Sequence, residues 1–288
     1  MNVSLHDPLY PSALKEIHDP PNTLFVRGTI PPLEHGIAIV GSRKNTLYGK
    51  QITEDITRIL VHAGCPIVSG LAFGIDSIAH ETTLKTGGIT VAVLGSGVDD
   101  ESITPRTHTR LAQEIIAHGG AVISEYPPRT PSSKFTYPKR NRIIAGLSRA
   151  TIVIEAAEGS GALITAQCAT DNGRDVFAVP QSITSLTSRG VNELIATGAT
   201  PIVDPEELLD LLQLRSLVHS RPNEKTSSKR GTLPVEHTIL ALLEHQPLHL
   251  DELIAQSGIQ SHALMGVITM MELQGVIRRL GGMMYARM

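Results

Sequence analysis

The sequence has few aromatic residues, no tryptophan and only two cysteines. Aromatic side chains make up 3 % of the 288 residues, so the core must rest on Val, Ile, Leu and Ala. Cys65 and Cys168 cannot by themselves form a disulfide framework or a four-ligand zinc site, and such sparse cysteine is typical of a reducing compartment. These absences exclude a small secreted domain held by disulfides and a cysteine-rich zinc domain.

The chain also lacks an excess of positive charge and a long hydrophobic run. It has 25 Lys and Arg residues against 28 Asp and Glu residues, a net charge of -3, so any site for a polyanion must be local. No window reaches the roughly 18 apolar residues of a membrane helix, and the first residues lack the basic and apolar segments of a signal peptide. We therefore expect a cytoplasmic protein with no membrane partner.

Motifs of the common hydrolytic and nucleotide-hydrolysing enzymes are missing. The sequence contains no H-E-x-x-H, no G-x-S-x-G and no G-x-x-x-x-G-K-[ST]. The motifs that serve metal-dependent hydrolysis, acyl transfer and P-loop ATP hydrolysis are therefore missing. The 12 histidines are scattered and are not paired at metal-ligand spacing. We expect no metal, no cofactor and no catalytic residues, which makes a binding protein the simpler interpretation.

Short β-branched runs alternate with longer amphipathic segments between residues 36 and 204, which is typical of βαβ units. We predict an α/β fold, an extended Rossmann-type doubly wound and mostly parallel sheet. The predicted strands are 37–40, 66–68, 89–94, 121–123, 151–154 and 176–179. The predicted helices between them are 48–62, 77–86, 107–118 and 163–172.

The composition predicts four regions along the chain. Residues 1–35, with a helical pattern at 12–17 and a strand at 23–27, form an appendage packed on the core, which occupies residues 36–214. Residues 215–232 are rich in Lys, Arg and Ser and have the composition of a linker. Residues 233–288 show helical patterns at 235–245, 250–257 and 261–274, followed by a hairpin at 276–286, which is the order of a winged-helix domain. The helix at 261–274 has no Lys or Arg, so a protein contact or a weak DNA contact stays open beside sequence-specific readout.

Three predicted strands end in turns of small and hydroxyl residues that suit phosphate. Glycine lets a phosphate approach the backbone N–H groups, while Ser and Arg side chains add directed donors. The carboxyl ends of parallel strands share one edge of a sheet, which is where open α/β sheets bind ligands. The alternative is an ordinary strand-to-helix turn at each place. The candidate phosphate-binding residues are Gly41, Ser42, Arg43, Ser69, Gly70, Gly74, Ser160 and Gly161.

The strongest local signal is the segment 134–142, which holds four cations and two aromatic residues. Aromatic rings stack on unpaired bases while Arg and Lys follow the phosphate backbone, a combination suited to single-stranded nucleic acid. We assign Lys134, Arg140 and Arg142 to phosphates and the rings of Phe135 and Tyr137 to bases. Positive charge at the start of a helix opposes the helix dipole, which favours a bound anion over a merely solvated basic loop.

Taken together, these stretches resemble the DNA-processing protein A family, DprA, also called Smf. The matching residues follow one order between residues 8 and 214. They are 40–43, 69–76 with 79–80, 90–97, 124–125, 140–147, 160–166, 173–180, 190–195 and 198–199. The 233–288 region is similar to the winged-helix module that many members carry.

The resemblance implies an extended Rossmann fold that binds single-stranded DNA and forms a homodimer through that domain. It further implies protection of incoming single strands and loading of the RecA recombinase in natural transformation. The family's phosphate-binding turns fall on the eight residues named above, and its basic and aromatic segment adds Asn141. Two places depart from the family pattern: Ile103-Thr104-Pro105 stands where Tyr-Pro is usual, and Pro180-Gln181 stands where Pro-Gly is usual.

Two other functions are weighed against this one. A nucleotide phosphoribohydrolase of the cytokinin-activating LOG type shares a similar core. Its P-G-G-x-G-T-x-x-E pattern corresponds to residues 158–165 here, but this chain lacks the glutamate that would act as general acid or base. A sequence-specific regulator acting through the winged helix is disfavoured by the absence of Lys and Arg from the helix at 261–274.

Overall fold

The computed structural model describes residues 1–185, 187–214, 238–240, 242–243, 246–259, 261–273 and 275–287. The chain divides into two compact units, Met1–Pro222 and Asn223–Met288. The predicted linker at 215–232 and most of the predicted helix at 235–245 lie outside the described residues.

Within the described part of the first unit, nine strands form one sheet in the order β1-β2-β6-β5-β4-β3-β7-β8-β9. The strands are β1 (Asn2–Ser4), β2 (Thr23–Gly28), β3 (Ile37–Val40), β4 (Ile67–Ser69), β5 (Thr90–Leu94), β6 (Ala121–Ser124), β7 (Ala150–Val153), β8 (Asp175–Ala178) and β9 (Thr200–Pro201). From β6 to β9 in this order all neighbouring strands pair in parallel. The pairs β1–β2 and β2–β6 are antiparallel. The predicted doubly wound, mostly parallel sheet is confirmed.

Eight helices accompany the sheet in the described part of this unit. They are α1 (Ser12–Lys15), α2 (Leu47–His62), α3 (Ile75–Lys85), α4 (Thr109–Ala117), α5 (Thr136–Gly146), α6 (Gly161–Asp171), α7 (Arg189–Ala196) and α8 (Leu208–Leu211). Of these, α2, α3, α4 and α6 begin and end within two residues of the four helices predicted in the core. Short 3₁₀ turns at Arg106–His108 and Pro205–Glu207 precede α4 and α8. The start of α2 is capped by Thr46, whose hydroxyl oxygen accepts a hydrogen bond from the Gly49 N–H at 3.0 Å.

The core lies on both faces of the sheet, as the alternation along β3 illustrates. Ile37 and Ile39 pack with Ile56 and Leu60 of α2 on one face. Ala38 and Val40 belong to the cluster on the other face, which contains Ile143 and Ile144 of α5. Because successive strand residues point to opposite faces, a strand covered on both sides must be apolar throughout, and all four residues of β3 are buried.

Residues 1–35 do not form the predicted appendage packed on the core, because they contribute strands to the core sheet itself. β2 pairs with β6 from Phe25 opposite Ser124 to Gly28 opposite Ala121, so it continues the same sheet. Pairing at this position satisfies the backbone groups of β6, which would otherwise form an exposed edge.

The described part of the second unit has the winged-helix order expected from the sequence. Strand β10 (Leu248–His249) is followed by α9 (Leu250–Ser257), α10 (Ser261–Leu273), β11 (Ile277–Gly281) and β12 (Met284–Arg287). Gly258, with φ +66°, ends α9 in the left-handed conformation that glycine adopts readily. The strand order is β10-β12-β11, and β11 and β12 form the predicted hairpin.

Burial of His80 on α3 makes stability depend on pH. Its Nδ1 lies 2.7 Å from the Thr90 hydroxyl, whereas its Nε2 has no partner among the described residues. Burial lowers the pKa of His80 to about 3. Protons therefore bind the unfolded chain from about pH 6.5 downward, and stability is lost as the pH falls from there toward 3.

We predict that this histidine removes about 2 kcal/mol of unfolding free energy between pH 7.5 and pH 5. Urea unfolding of the wild type and of His80→Gln at both pH values measures it. The stability difference between the two proteins should shift by this amount in favour of the variant at pH 5. A difference that stays constant between the two pH values would contradict the assignment.

Candidate functional site

A cleft of about 430 Å³ opens at the carboxyl edge of the sheet, where β3 lies between β4 and β7. The chain leaves β3 toward β4 on one side and returns to β7 on the other, so no connection covers this edge between β3 and β7. Such a switch in strand order is where open α/β sheets bind ligands. The cleft is lined by residues 40–44, 72, 76, 137–138, 140–141, 144, 157–162 and 164–165.

Glycines pack the turn after β3 against the turn after β4. A Cβ on Gly41 would lie 2.6 Å from Cγ1 of Ile75, and a Cβ on Gly74 would collide with the Ser42 carbonyl oxygen. The Ile75 N–H donates a hydrogen bond of 3.2 Å to the same carbonyl. The small size of Gly41 and Gly74 is therefore required by contact between the two turns, and the turns reach the cleft as one unit.

A buried pair of opposite charges supports the floor of the cleft. Nη1 of Arg140 donates to the Gly70 carbonyl at 2.7 Å and to the Val93 carbonyl. Asp76 accepts hydrogen bonds from the N–H groups of Gly70 and Ala72 at 3.2 and 3.4 Å. Burial raises the pKa of Asp76 and lowers the pKa of Arg140, and the opposite charge of each partner offsets part of the shift. Arg140 thus ties together β4, β5 and α5.

Three exposed cations belong to the segments that form the cleft: Arg43 and Lys44 line it, and Lys134 lies three residues before Tyr137, which also lines it. The guanidinium carbon of Arg43 lies 5.1 Å from the ring centroid of Tyr137, and Nζ of Lys134 lies 5.1 Å from that of Phe135. Among the described residues, no carboxylate forms an ion pair with any of these three cations. Their charge is therefore available to an anion, and two of them are held beside an aromatic ring.

The turn after β7 leaves its backbone open. A Cβ on Gly159 or on Gly161 would meet nothing within 4 Å. Ser160 caps α6 by accepting a hydrogen bond from the Ala162 N–H at 3.3 Å, and the side-chain amide of Asn141 donates to the Gly161 carbonyl at 3.0 Å. The N–H groups of Ser160 and Leu163 donate to the carbonyls of Ala157 and Ser160, so this helix start offers a phosphate its positive dipole end and the N–H of Gly161, which has no partner among the described residues.

The structure corrects the expected direct contacts at four positions. Ser69 is buried and its hydroxyl donates to the Ile39 carbonyl at 2.7 Å, while the Gly70 N–H is already bonded to Asp76. Arg140 is 4 % exposed and is bound to main-chain carbonyls. Arg142 does not line the cleft, because its guanidinium pairs with Glu125 at 2.9 Å and with Asp19 at 3.0 Å. The polar groups expected to bind phosphate at these four positions are therefore engaged within the protein.

Two residues with roles at the site were not singled out from the sequence. Glu155, fully buried at the end of β7, accepts hydrogen bonds from the Thr46 N–H at 2.9 Å and from the Thr46 hydroxyl, and so fixes the start of α2. An acid directly after an apolar strand is the signal that could have identified it. Phe73 lies half exposed in the turn after β4, where an aromatic residue among glycines was the available signal.

Comparison with known proteins identifies the family. The sequence model of the family described as DNA recombination-mediator protein A matches residues 2–213. The chain belongs to this family. The DprA winged helix domain matches residues 223–283. The described residues contain no helix long and apolar enough to cross a membrane and no group of three or more His, Cys, Asp or Glu side chains placed to hold a metal ion.

Relatives in the DprA family share the Rossmann-type region. The chain is 41 % identical over 215 residues to DNA processing protein DprA of Bacillus subtilis, covering 74 % of this chain and 71 % of that protein. It is 43 % identical over 205 residues to Protein Smf of Escherichia coli, covering 71 % of this chain. That match spans only 54 % of the length of the Escherichia coli protein.

Two solved structures of DprA proteins share the fold. The X-ray structure of DprA from Streptococcus pneumoniae superposes with a TM-score of 0.67 at 41 % identity, covering 73 % of each chain. DprA from Helicobacter pylori, studied for its single-stranded DNA binding mode, superposes with a TM-score of 0.66 at 31 % identity. It covers 74 % of this chain and 96 % of that chain.

Proposed function

We propose that this protein binds single-stranded DNA in the cleft at the carboxyl edge of β3 and β7. The proposal rests mainly on three exposed cations that pair with no carboxylate in the described part of the chain, Arg43, Lys44 and Lys134, two of which lie beside aromatic rings. Guanidinium and ammonium groups bind phosphates, and the turn at Gly159–Gly161 adds the N–H groups of its two glycines, which have no partner among the described residues. The relative from Helicobacter pylori, studied for single-stranded DNA binding, supports the same ligand.

The aromatic residues favour a single strand over a duplex. Phe135 is 75 % exposed, and the ring of Tyr137 lines the cleft beneath Arg43. In a duplex the faces of the bases are stacked on one another, so these rings gain a partner only from an unpaired base. Ser42 and Ser160 also line the cleft, and we assign their hydroxyl groups to phosphates of the strand.

Membership of the family supports a wider role. We propose that the protein protects incoming single strands and loads RecA recombinase onto them during natural transformation in the cytoplasm, acting as a homodimer through the Rossmann-type unit. RecA assembly on a strand already covered by single-strand binding protein tests the loading step. Light scattering of the full chain tests the dimer, for which a mass near 31 kDa would be the contrary result.

Replacing Arg43 with alanine is the prediction that tests DNA binding. Loss of one charge-assisted phosphate contact should weaken binding to a labelled oligo-dT by about 10-fold or more at low salt. It should also reduce the slope of log affinity against log salt by about 0.7. Fluorescence anisotropy over a range of salt concentrations, with oligo-dT and a duplex of the same length, measures both quantities.

Lys85→Ala is the matched control because it removes one exposed cation from the last turn of α3, at the opposite edge of the sheet. It should bind like the wild type. The proposal fails if the wild type prefers the duplex, if it does not bind, or if Arg43→Ala and Lys85→Ala bind equally.

We further propose that the cleft binds and does not hydrolyse. Of its carboxylates, Asp76 is buried and bonded to the main chain, and Glu158 pairs with Arg189 at 3.0 Å. A phosphoribohydrolase of the LOG type would release adenine from AMP. Chromatography after incubation with AMP should find none, and release that Glu158→Gln abolishes would overturn this part of the proposal.

A further inference from the structure

A second, smaller cavity adjoins the cleft on the side of β4. It has a volume of about 70 Å³ and shares three lining residues with the cleft, Arg43, Ala72 and Tyr137. Phe73 also lines it and is 50 % exposed. The remaining lining residues are Gly70, Thr104 and Pro105. We call this cavity the Phe73 slot.

Phe73 is held in place from behind. Its ring packs edge-on against His108, with the ring centroids 5.0 Å apart and an interplanar angle of 70°. The Leu71 carbonyl accepts a hydrogen bond of 2.9 Å from Nδ1 of His108. An exposed phenylalanine that is fixed by a second ring offers a preorganised flat surface to a ligand.

The turn that carries Phe73 has an unusual backbone. Leu71 adopts a φ of +60°, in the left-handed region that a leucine rarely occupies, although its side chain is fully buried. Backbone strain of this kind persists where the surroundings over-determine it and is concentrated at binding sites. The conformation directs the next residues, Ala72 and Phe73, toward the slot.

We propose that the Phe73 slot binds one nucleobase of the single strand whose phosphates occupy the cleft, an inference that rests on the proposed function. The base stacks on Phe73 in a slot that the Arg43 side chain also lines. Arg43 thus belongs to both the phosphate site and the base site. Because the slot and the cleft share Arg43, Ala72 and Tyr137, the part of the base that exceeds the slot lies in the cleft.

The chemistry of the slot predicts tolerance of base identity. Its walls are aromatic and aliphatic surface with one guanidinium, and the Thr104 hydroxyl already donates to the Ser102 carbonyl. Every base has an aromatic face, so stacking between such walls distinguishes unpaired from paired nucleotides and not one base from another.

A comparison of normal and abasic strands tests the slot. The probes are an oligo-dT and an abasic oligomer of the same length, and the variants are Phe73→Ala, Phe73→Leu and Phe73→Tyr. Phe73→Ala should bind oligo-dT about 5-fold or more weakly than the wild type and should bind the abasic strand with unchanged affinity. Phe73→Leu should show the same selective loss, and Phe73→Tyr should restore binding. Ile89→Ala, which trims an exposed apolar side chain just before β5 at the opposite edge, is the control.

The outcomes separate this inference from the proposed function. If the wild type binds oligo-dT and Phe73→Ala binds it with the same affinity, the slot does not bind a base, and the proposed function still holds. Equal losses by Phe73→Ala on oligo-dT and on the abasic strand show a merely structural role and also overturn it. A wild type that binds neither strand overturns the proposed function, and the slot with it.

Discussion

Replacing Gly74 with alanine is expected to lower the free energy of unfolding by about 3 kcal/mol or more. Gly74 has φ +79° and ψ -127°, a conformation that residues with a Cβ avoid. The added Cβ would collide with the Ser42 carbonyl oxygen and lie 2.9 Å from the Arg43 carbonyl carbon and oxygen. Because all of these neighbours are backbone atoms, no side-chain rotation can relieve the contact.

Urea unfolding of Gly74→Ala and Gly161→Ala measures this effect. Gly161 is the matched control, since a Cβ there meets open space at the start of α6, and its substitution should stay within about 0.5 kcal/mol of the wild type. Equal stability of the two variants would show that Gly74 is not in close contact with the backbone of Ser42 and Arg43. The folded fraction of Gly74→Ala should also bind oligo-dT more weakly, because the displaced atoms belong to the backbone that carries Arg43.

Replacing Arg140 with methionine is expected to cost about 3 to 5 kcal/mol of unfolding free energy. The substitution keeps an unbranched side chain of similar apolar bulk but leaves Asp76 buried without its counter-charge. It also removes the donor that the carbonyls of Gly70 and Val93 share. Loss of one member of a buried pair is costly since the other charge remains desolvated.

Chemical denaturation of three variants tests this assignment. Arg140→Met with Asp76→Asn should recover part of the stability that Arg140→Met loses, because no buried charge is left over. The deficit of Arg140→Met should shrink as the pH falls, because loss of the neighbouring positive charge raises the pKa of Asp76 further in the variant than in the wild type, so the folded variant takes up a proton more readily. Arg43→Met, on an exposed side chain, should be close to the wild type in stability. Wild-type stability of Arg140→Met together with loss of DNA binding would instead place its guanidinium on the ligand.

The parallel core was predictable because its strands are short, apolar runs separated by helices of regular period. The runs at 37–40 and 151–154 are buried on both faces, so their sequences carry a strong signal. Strands such as β1, β9 and β10, with two or three residues each, are too short to show a period. Their pairing is decided by partners that are distant in sequence.

The location of the site was predictable, but the direction of its side chains was not. Arg140 and Arg142 are two residues apart on α5, so they point to nearly opposite sides of the helix. The sequence does not say which of them meets Asp76 in the interior and which meets Glu125. Glycine is ambiguous in the same way: Gly41 and Gly74 allow two turns to touch, whereas Gly161 borders open space.

Photocrosslinking of a single strand to the full chain tests the location of the DNA site most directly. An oligo-dT carrying 5-iodouracil is irradiated with the protein, and the crosslinked peptides are identified by mass spectrometry. We predict crosslinks around Phe73 and in the segment 134–137, with yields that fall in Arg43→Ala and not in Lys85→Ala. Crosslinks confined to the winged-helix residues 246–287, with yields unaffected by Arg43→Ala, would contradict it.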